Sequence, residues 1–236
     1  MNSVALAIIC KTPQAGHSKT RLNPPLTYQE CAELSGCFIS DLAITINSLD
    51  GEGGRGYAVY TPAGSEAELR RLLPEHFGLV LQSDGDLGAR LHKGISDLLE
   101  IGHEGAILIN SDSPTLPRTI LEAAVNAVLG GDCVVLSPAI DGGYTLIGLS
   151  KPHVHLFENM PWSTDAVYEL TMQRARGIGL PIVSLDPWYD VDDASSYSLL
   201  EQEFAGGRPD FAKEPLQEAP RTRAFVERRR KQRMTA

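Results

Sequence analysis

The stretch Ala106-Ile107-Leu108-Ile109-Asn110-Ser111-Asp112-Ser113-Pro114 decides the architecture. A nearly unbroken apolar run of strand length is the mark of a central parallel strand covered on both faces. The run ends in a polar turn that Pro114 stiffens, so Asp112 emerges at the carboxyl edge of a sheet. Val4–Cys10 and Cys133–Ser137 have the same character. Gly56–Thr61, Leu79–Gln82, Tyr144–Leu149 and Ile182–Leu185 complete the set of expected strands.

Helical patterns fill the intervals. Thr27 and Glu30 form a capping box, followed by Cys31, Leu34, Phe38, Leu42, Ile46 and Leu49 at helical spacing. Ser65 with Glu68 opens a second helix, and Leu87, Leu91, Ile95 and Leu98 mark a third. Pro117 is the expected first residue of a fourth, and Ser163 caps a fifth. Strands alternating with helices predict an α/β chain with a mostly parallel sheet and helices on both faces.

Composition narrows the function classes. The 236 residues carry a formal net charge of −9, yet residues 205–236 hold nine Lys/Arg against four Asp/Glu. The first 204 residues are therefore the acidic body, a poor nucleic-acid surface. We expect residues 1–204 to be one domain and 205–236 a mobile basic tail with room for one short basic helix, because apolar periodicity stops there. No apolar run approaches the roughly 20 residues that a membrane helix needs, and no signal peptide is visible. The four cysteines, Cys10, Cys31, Cys37 and Cys133, form no C-x-x-C pair and read as buried small hydrophobes in a reducing cytoplasm. His153-Val154-His155 lacks the rest of a metal set and reads as surface or packing.

The first strand runs into Lys11-Thr12-Pro13-Gln14-Ala15-Gly16-His17-Ser18-Lys19-Thr20-Arg21-Leu22. Open α/β sheets bind ligands at this edge. Gly16 permits close backbone approach, and Lys11, Lys19 and Arg21 suit phosphates. A P-loop is excluded, because Pro13 and Ser18 stand where its glycines belong and Asn23-Pro24-Pro25 interrupts its helix. Asp112 and the group Asp190-Val191-Asp192-Asp193 supply hard oxygen ligands for Mg2+ or Mn2+. The plainer alternative for each is a helix cap, with Asp192 or Asp193 starting the following helix. In the turn from Gln82 to Arg90, Gly85 and Arg90 are candidates for nucleotide contact. Asp141-Gly142-Gly143-Tyr144 reads as a tight turn able to lie against a substrate, and Trp162-Ser163-Thr164 as a helix start near an acceptor.

These motifs, taken in order from Lys19-Thr20-Arg21-Leu22 to Asp190-Val191-Asp192, resemble the bacterial DUF2064 family, grouped with glycosyltransferases of the GT-A (nucleotide-diphospho-sugar transferase) fold. More distantly the chain is similar to 2-phospholactate and molybdenum cofactor guanylyltransferases. The resemblance implies a Rossmann-like GT-A domain that uses a nucleotide or nucleotide-sugar donor, a small-molecule acceptor and Mg2+ or Mn2+. It implies phosphate contacts from Lys11, Lys19 and Arg21 and a metal site at Asp112 with Asp190 or Asp192. It also implies an acceptor pocket at Asp141, Gly142, Gly143 and Tyr144, to which we add Trp162, Ser163 and Thr164. Lys19 is the expected absorber of leaving-group charge, and Asp141 the group that orients or deprotonates the acceptor. The first loop has one glycine where nucleotidyltransferases carry more, and the tail matches no family motif. A non-catalytic binder that works through its basic tail is the alternative, and self-association is left open.

Overall fold

The computed structural model describes residues 3–213 and 216–235. Its strands are β1 (Val4–Lys11), β2 (Gly54–Thr61), β3 (Gly78–Leu81), β4 (Gly105–Asn110), β5 (Val134–Pro138), β6 (Tyr144–Leu149) and β7 (Ile182–Ser184). They form one sheet in the order β3-β2-β1-β4-β6-β5-β7. Only β6 runs antiparallel to its neighbours, β4 and β5. The helices are α1 (Tyr28–Asn47), α2 (Glu66–Arg70), α3 (Leu87–Glu100), α4 (Arg118–Leu129), α5 (Val167–Gly177), α6 (Ala194–Phe204) and α7 (Pro220–Thr235).

The two faces of the sheet follow from strand alternation. In β1, Val4, Leu6, Ile8 and Cys10 point to the side covered by α1 and α4. Ala5 and Ala7 point to the other side, where Leu91, Ile95 and Leu98 of α3 and Met172 and Ala175 of α5 pack. In β4, Ile107 and Ile109 take the first side and Ala106 and Leu108 the second. The capping box at α1 is present, with the Glu30 amide donating to Thr27 Oγ1 and the Thr27 amide to Glu30 Oε2.

Several expected helix starts are displaced. Pro117 caps α4 from outside instead of beginning it. Ser65 stands at the cap position of α2 as expected, but its hydroxyl accepts no helix N–H and donates to the Pro62 carbonyl. Ser163 does not cap α5, which starts at Val167; Ser163 has φ 64 and belongs to the loop before it. Asp193 caps α6, accepting from the Ser196 amide at 2.8 Å.

The largest correction concerns the expected mobile tail. Residues 220–235 form α7, which lies against α1. Phe225 and Val226 are buried in the main core. Asp41, itself buried in α1, accepts from the backbone N–H of Arg221 at 3.1 Å, the N–H of Thr222 at 2.8 Å and Thr222 Oγ1 at 2.6 Å. A carboxylate at a helix N-terminus satisfies donors that the helix itself leaves unpaired. Arg228, Arg229 and Arg233 pair with Glu33, Glu30 and Glu201. Three of the segment's cations thus pair with the acidic body. Phe225→Ala should cost about 3 kcal/mol, read as a lowered urea midpoint. A midpoint equal to that of the parent would mean that α7 does not stabilise the body.

Candidate active site

The parallel strands β1 and β4 end at the same edge of the sheet, and antiparallel β6 begins there. The segment after β7 returns to this edge: the Val191 N–H donates to the Asp112 carbonyl at 2.8 Å. This one backbone bond sets the two acidic segments side by side.

Lys19 closes the group from the β1 side. The loop before it is tightened by Ser18, whose buried hydroxyl accepts from the Gln14 amide at 3.0 Å. Lys19 then adopts a left-handed backbone, φ 50 and ψ 38, which turns its side chain inward. Its Nζ lies 2.7 Å from Asp112 Oδ1, 2.6 Å from Asp192 Oδ1 and 2.8 Å from the Val191 carbonyl oxygen. The side chain is 6% exposed. Burial alone pushes the ammonium pKa down, but the adjoining Asp112 and Asp192 carboxylates outweigh burial and hold it above its ordinary value.

A cleft of about 650 Å³ opens beside this group. Lys11, Arg21, Arg90, Asp112, Asp141, Gly143, Tyr144, Trp162, Ser163, Thr164, Asp190 and Asp192 line it. A smaller polar recess of about 330 Å³ adjoins it, with Lys11, Lys19, Arg21, Asp112 and Asp192 in its wall. Gly16, Gly85 and Gly142 lie outside both linings. Gly142 acts through the backbone: at φ 94, a Cβ there would come within 2.3 Å of the Asp165 carbonyl oxygen. Its own carbonyl accepts from the Tyr168 N–H at 2.9 Å. Only glycine lets the 141–144 turn lie against the 162–168 segment.

Asp190 carries the most perturbed carboxyl of the cleft. Burial first, then the negative charges of Asp192, Asp141 and Asp112, push it up to about 7. Lys11 and Arg21, by contrast, are exposed and form no ion pair with a described residue. Arg90 donates through Nε to the Gly85 carbonyl at 2.9 Å, so the Gln82–Arg90 turn orients its guanidinium. Asp141 Oδ1 accepts from the Gly143 N–H at 2.9 Å. Tyr144 OH and Trp162 Nε1 are buried without a hydrogen-bond partner among the described residues. Burial raises the Tyr144 hydroxyl, which stays protonated and able to donate.

Among the described residues, no three His, Cys, Asp or Glu side chains close around a single metal position. The expected trio is split: Asp112 and Asp192 meet on Lys19, while Asp190 stands apart in the same cleft. Magnesium takes one or two protein carboxylates and shares the substrate's phosphates, so an open oxygen site with one under-neutralised aspartate still fits it.

Reading the sequence missed Gln82, Thr61, Asn110 and Asp165, which also line the cleft. Gln82 Nε2 donates to the carbonyls of Cys10 at 3.0 Å and Val59 at 2.9 Å, fastening the end of β3 to β1 and β2. A polar residue closing an apolar strand was the available signal.

The sheet order with its single reversed strand is that of the nucleotide-diphospho-sugar transferase fold. The chain belongs to the family described as "Uncharacterized protein conserved in bacteria (DUF2064)", which matches residues 47–164. It is similar to a protein from Desulfovibrio desulfuricans G20 provisionally named a nucleotide-diphospho-sugar transferase. That likeness is at 25% identity and TM-score 0.83, covering 98% of this chain and 96% of that one. Its fold is also that of CMP:2-keto-3-deoxy-manno-octonic acid synthetase complexed with CTP, at 9% identity and TM-score 0.56, covering 87% and 99%. Glucosyl-3-phosphoglycerate synthase from Mycobacterium tuberculosis, in complex with Mn2+, UDP and phosphoglyceric acid, shares it too, at 13% identity and TM-score 0.51, covering 89% and 80%. No curated protein matches the chain at a significant level. No helix among the described residues is long and apolar enough to cross a membrane.

The Asp190 carboxyl gives a test with a definite sign. Between about 4 and 7 the folded state binds the proton more tightly than the unfolded chain, so stability falls as pH rises. Asp190→Asn removes that cost. The variant should melt higher than the parent at pH 8, by about 2–4 °C for each kcal/mol relieved, and the gain should shrink as pH is lowered towards 4. A difference independent of pH would show that the Asp190 charge is not under strain.

Proposed function

We propose that this protein is a metal-assisted transferase that takes a nucleotide donor, either a nucleoside triphosphate or a nucleotide sugar, and passes part of it to a small-molecule acceptor. The observation that carries the reading is the meeting of two unlike sets of groups in one cleft. Lys11 and Arg21 stand there as cations without a carboxylate partner, beside Asp112, Asp141, Asp190 and Asp192. Carboxylates in such excess favour a bound cation, and unpaired cations at a strand end favour phosphate.

Asp190, together with the donor's own phosphates, would hold Mg2+ or Mn2+, which when bound neutralises phosphate oxygens. Lys11 and Arg21 face the donor's phosphates and offset charge that develops on the leaving group. Arg90 and Gln82 border the side of the cleft under β1 to β3, where the rest of the nucleotide has room. The acceptor lies towards Asp141, Tyr144 and Trp162. The second oxygen of Asp141 is placed to orient an acceptor hydroxyl or take its proton. Lys19, assigned to the leaving group on sequence grounds, acts instead through the two carboxylates that it joins. The docked α7 counts against a role as a tail-driven binder, because Arg228, Arg229 and Arg233 already pair with glutamates of the body.

Calorimetry with a panel of nucleoside triphosphates and nucleotide sugars, with and without Mg2+, tests the reading. Donor binding should require the metal and weaken by about tenfold or more in Asp112→Asn. Preference for a triphosphate selects nucleotidyl transfer, and preference for a nucleotide sugar selects glycosyl transfer. Absence of binding to every donor, with or without metal, would refute the proposal.

A further inference from the structure

Two carboxylates delivered from separate loops to one point repel unless a cation or a shared proton lies between them. Here the point is filled by the chain itself. Lys19 Nζ contacts one oxygen each of Asp112 and Asp192, at 2.7 and 2.6 Å, and the Val191 carbonyl at 2.8 Å. The ammonium donates to Asp192 and to the Val191 carbonyl and forms an ion pair with Asp112. The placement is constrained from several sides. The backbone of Lys19 holds φ 50, uncommon for a residue with a side chain. Its Nζ lies 5.6 Å from the centre of the Phe38 ring, a residue of the main core.

A divalent ion entering between Asp112 and Asp192 must displace this ammonium or settle against it. Displacement strands a buried charge without partners, which is strongly unfavourable. Settling beside it adds repulsion between cations at short range. Neither obstacle applies at Asp190, which lines the same cleft without contacting Lys19 and where donor phosphates would bring negative charge of their own.

We infer that Lys19 is the resident cation of the Asp112–Asp192 pair, so that the cleft binds free divalent metal weakly and admits the ion in company with a phosphate-bearing ligand. The inference rests on the metal-assisted reading above for the identity of the visitor, but its test needs no nucleotide. Free Mn2+, followed by its electron paramagnetic resonance, is titrated into the parent and into Lys19→Met, which keeps the length of the side chain and removes its charge. The variant should bind Mn2+ about tenfold or more tightly than the parent, and Asp192→Asn added to it should reverse the gain. Equal Mn2+ affinity in parent and variant, or a gain that survives Asp192→Asn, would overturn the inference.

A second measurement uses the parent alone, should Lys19→Met not fold. A buried, hydrogen-bonded ammonium exchanges its protons slowly and gives its own nitrogen-15 signal. That signal should persist unshifted at one equivalent of diamagnetic Mg2+; its loss to fast exchange would show the ammonium displaced from the pair and overturn the inference. Failure of the transferase reading would look different, since donors would then not bind although the Mn2+ contrast between parent and variant remained.

Discussion

One ammonium ties together three parts of the chain that are far apart in sequence. Lys19 arrives from the loop after the first strand, Asp112 from the end of the fourth, and Asp192 from the segment after the seventh. The backbone bond from Val191 to Asp112 runs beside it. Remove the ammonium, and two carboxylates face each other at the rim of the cleft with nothing between them. The position of the rim, the spacing of its acids and the side from which a cation can enter all depend on that contact.

The charge balance of the cleft follows from the same arrangement. Lys19 offsets one of the two charges of Asp112 and Asp192, and Asp141 and Asp190 share the rest of the cleft with the charge that remains. Asp190 is buried among like charges, which raises its carboxyl towards neutrality. Such a group destabilises the folded protein when alone and favours whatever cation the ligand brings. A strained acid at a ligand edge is a common sign of function, because stability alone would replace it.

Much of the fold is legible in the sequence because strand burial is written in composition. The apolar runs at Val4, Ala106 and Cys133 could be buried only on both faces, and they became β1, β4 and β5. The Thr27–Glu30 capping box was equally direct, being a local hydrogen-bond pattern. The docking of α7 was not legible. Its contacts depend on Phe225, Val226 and the buried Asp41, which lies 180 or more positions before them in the chain, and its arginines hide any apolar stripe. Most of the residues singled out for the site do gather at one edge, since each follows or precedes a strand there. What the motifs could not show is which charges pair. Lys19 lay in a phosphate-like loop, and only the left-handed turn at that residue aims it at carboxylates instead.

Anomalous diffraction from crystals grown with Mn2+ and, in parallel, CTP or UDP tests this account most directly. It predicts a manganese peak beside Asp190 and the nucleotide's phosphates, phosphates against Lys11 and Arg21, and Lys19 still bonded to Asp112 and Asp192. A manganese peak at the Lys19 Nζ position, or a nucleotide bound away from this cleft, would contradict it.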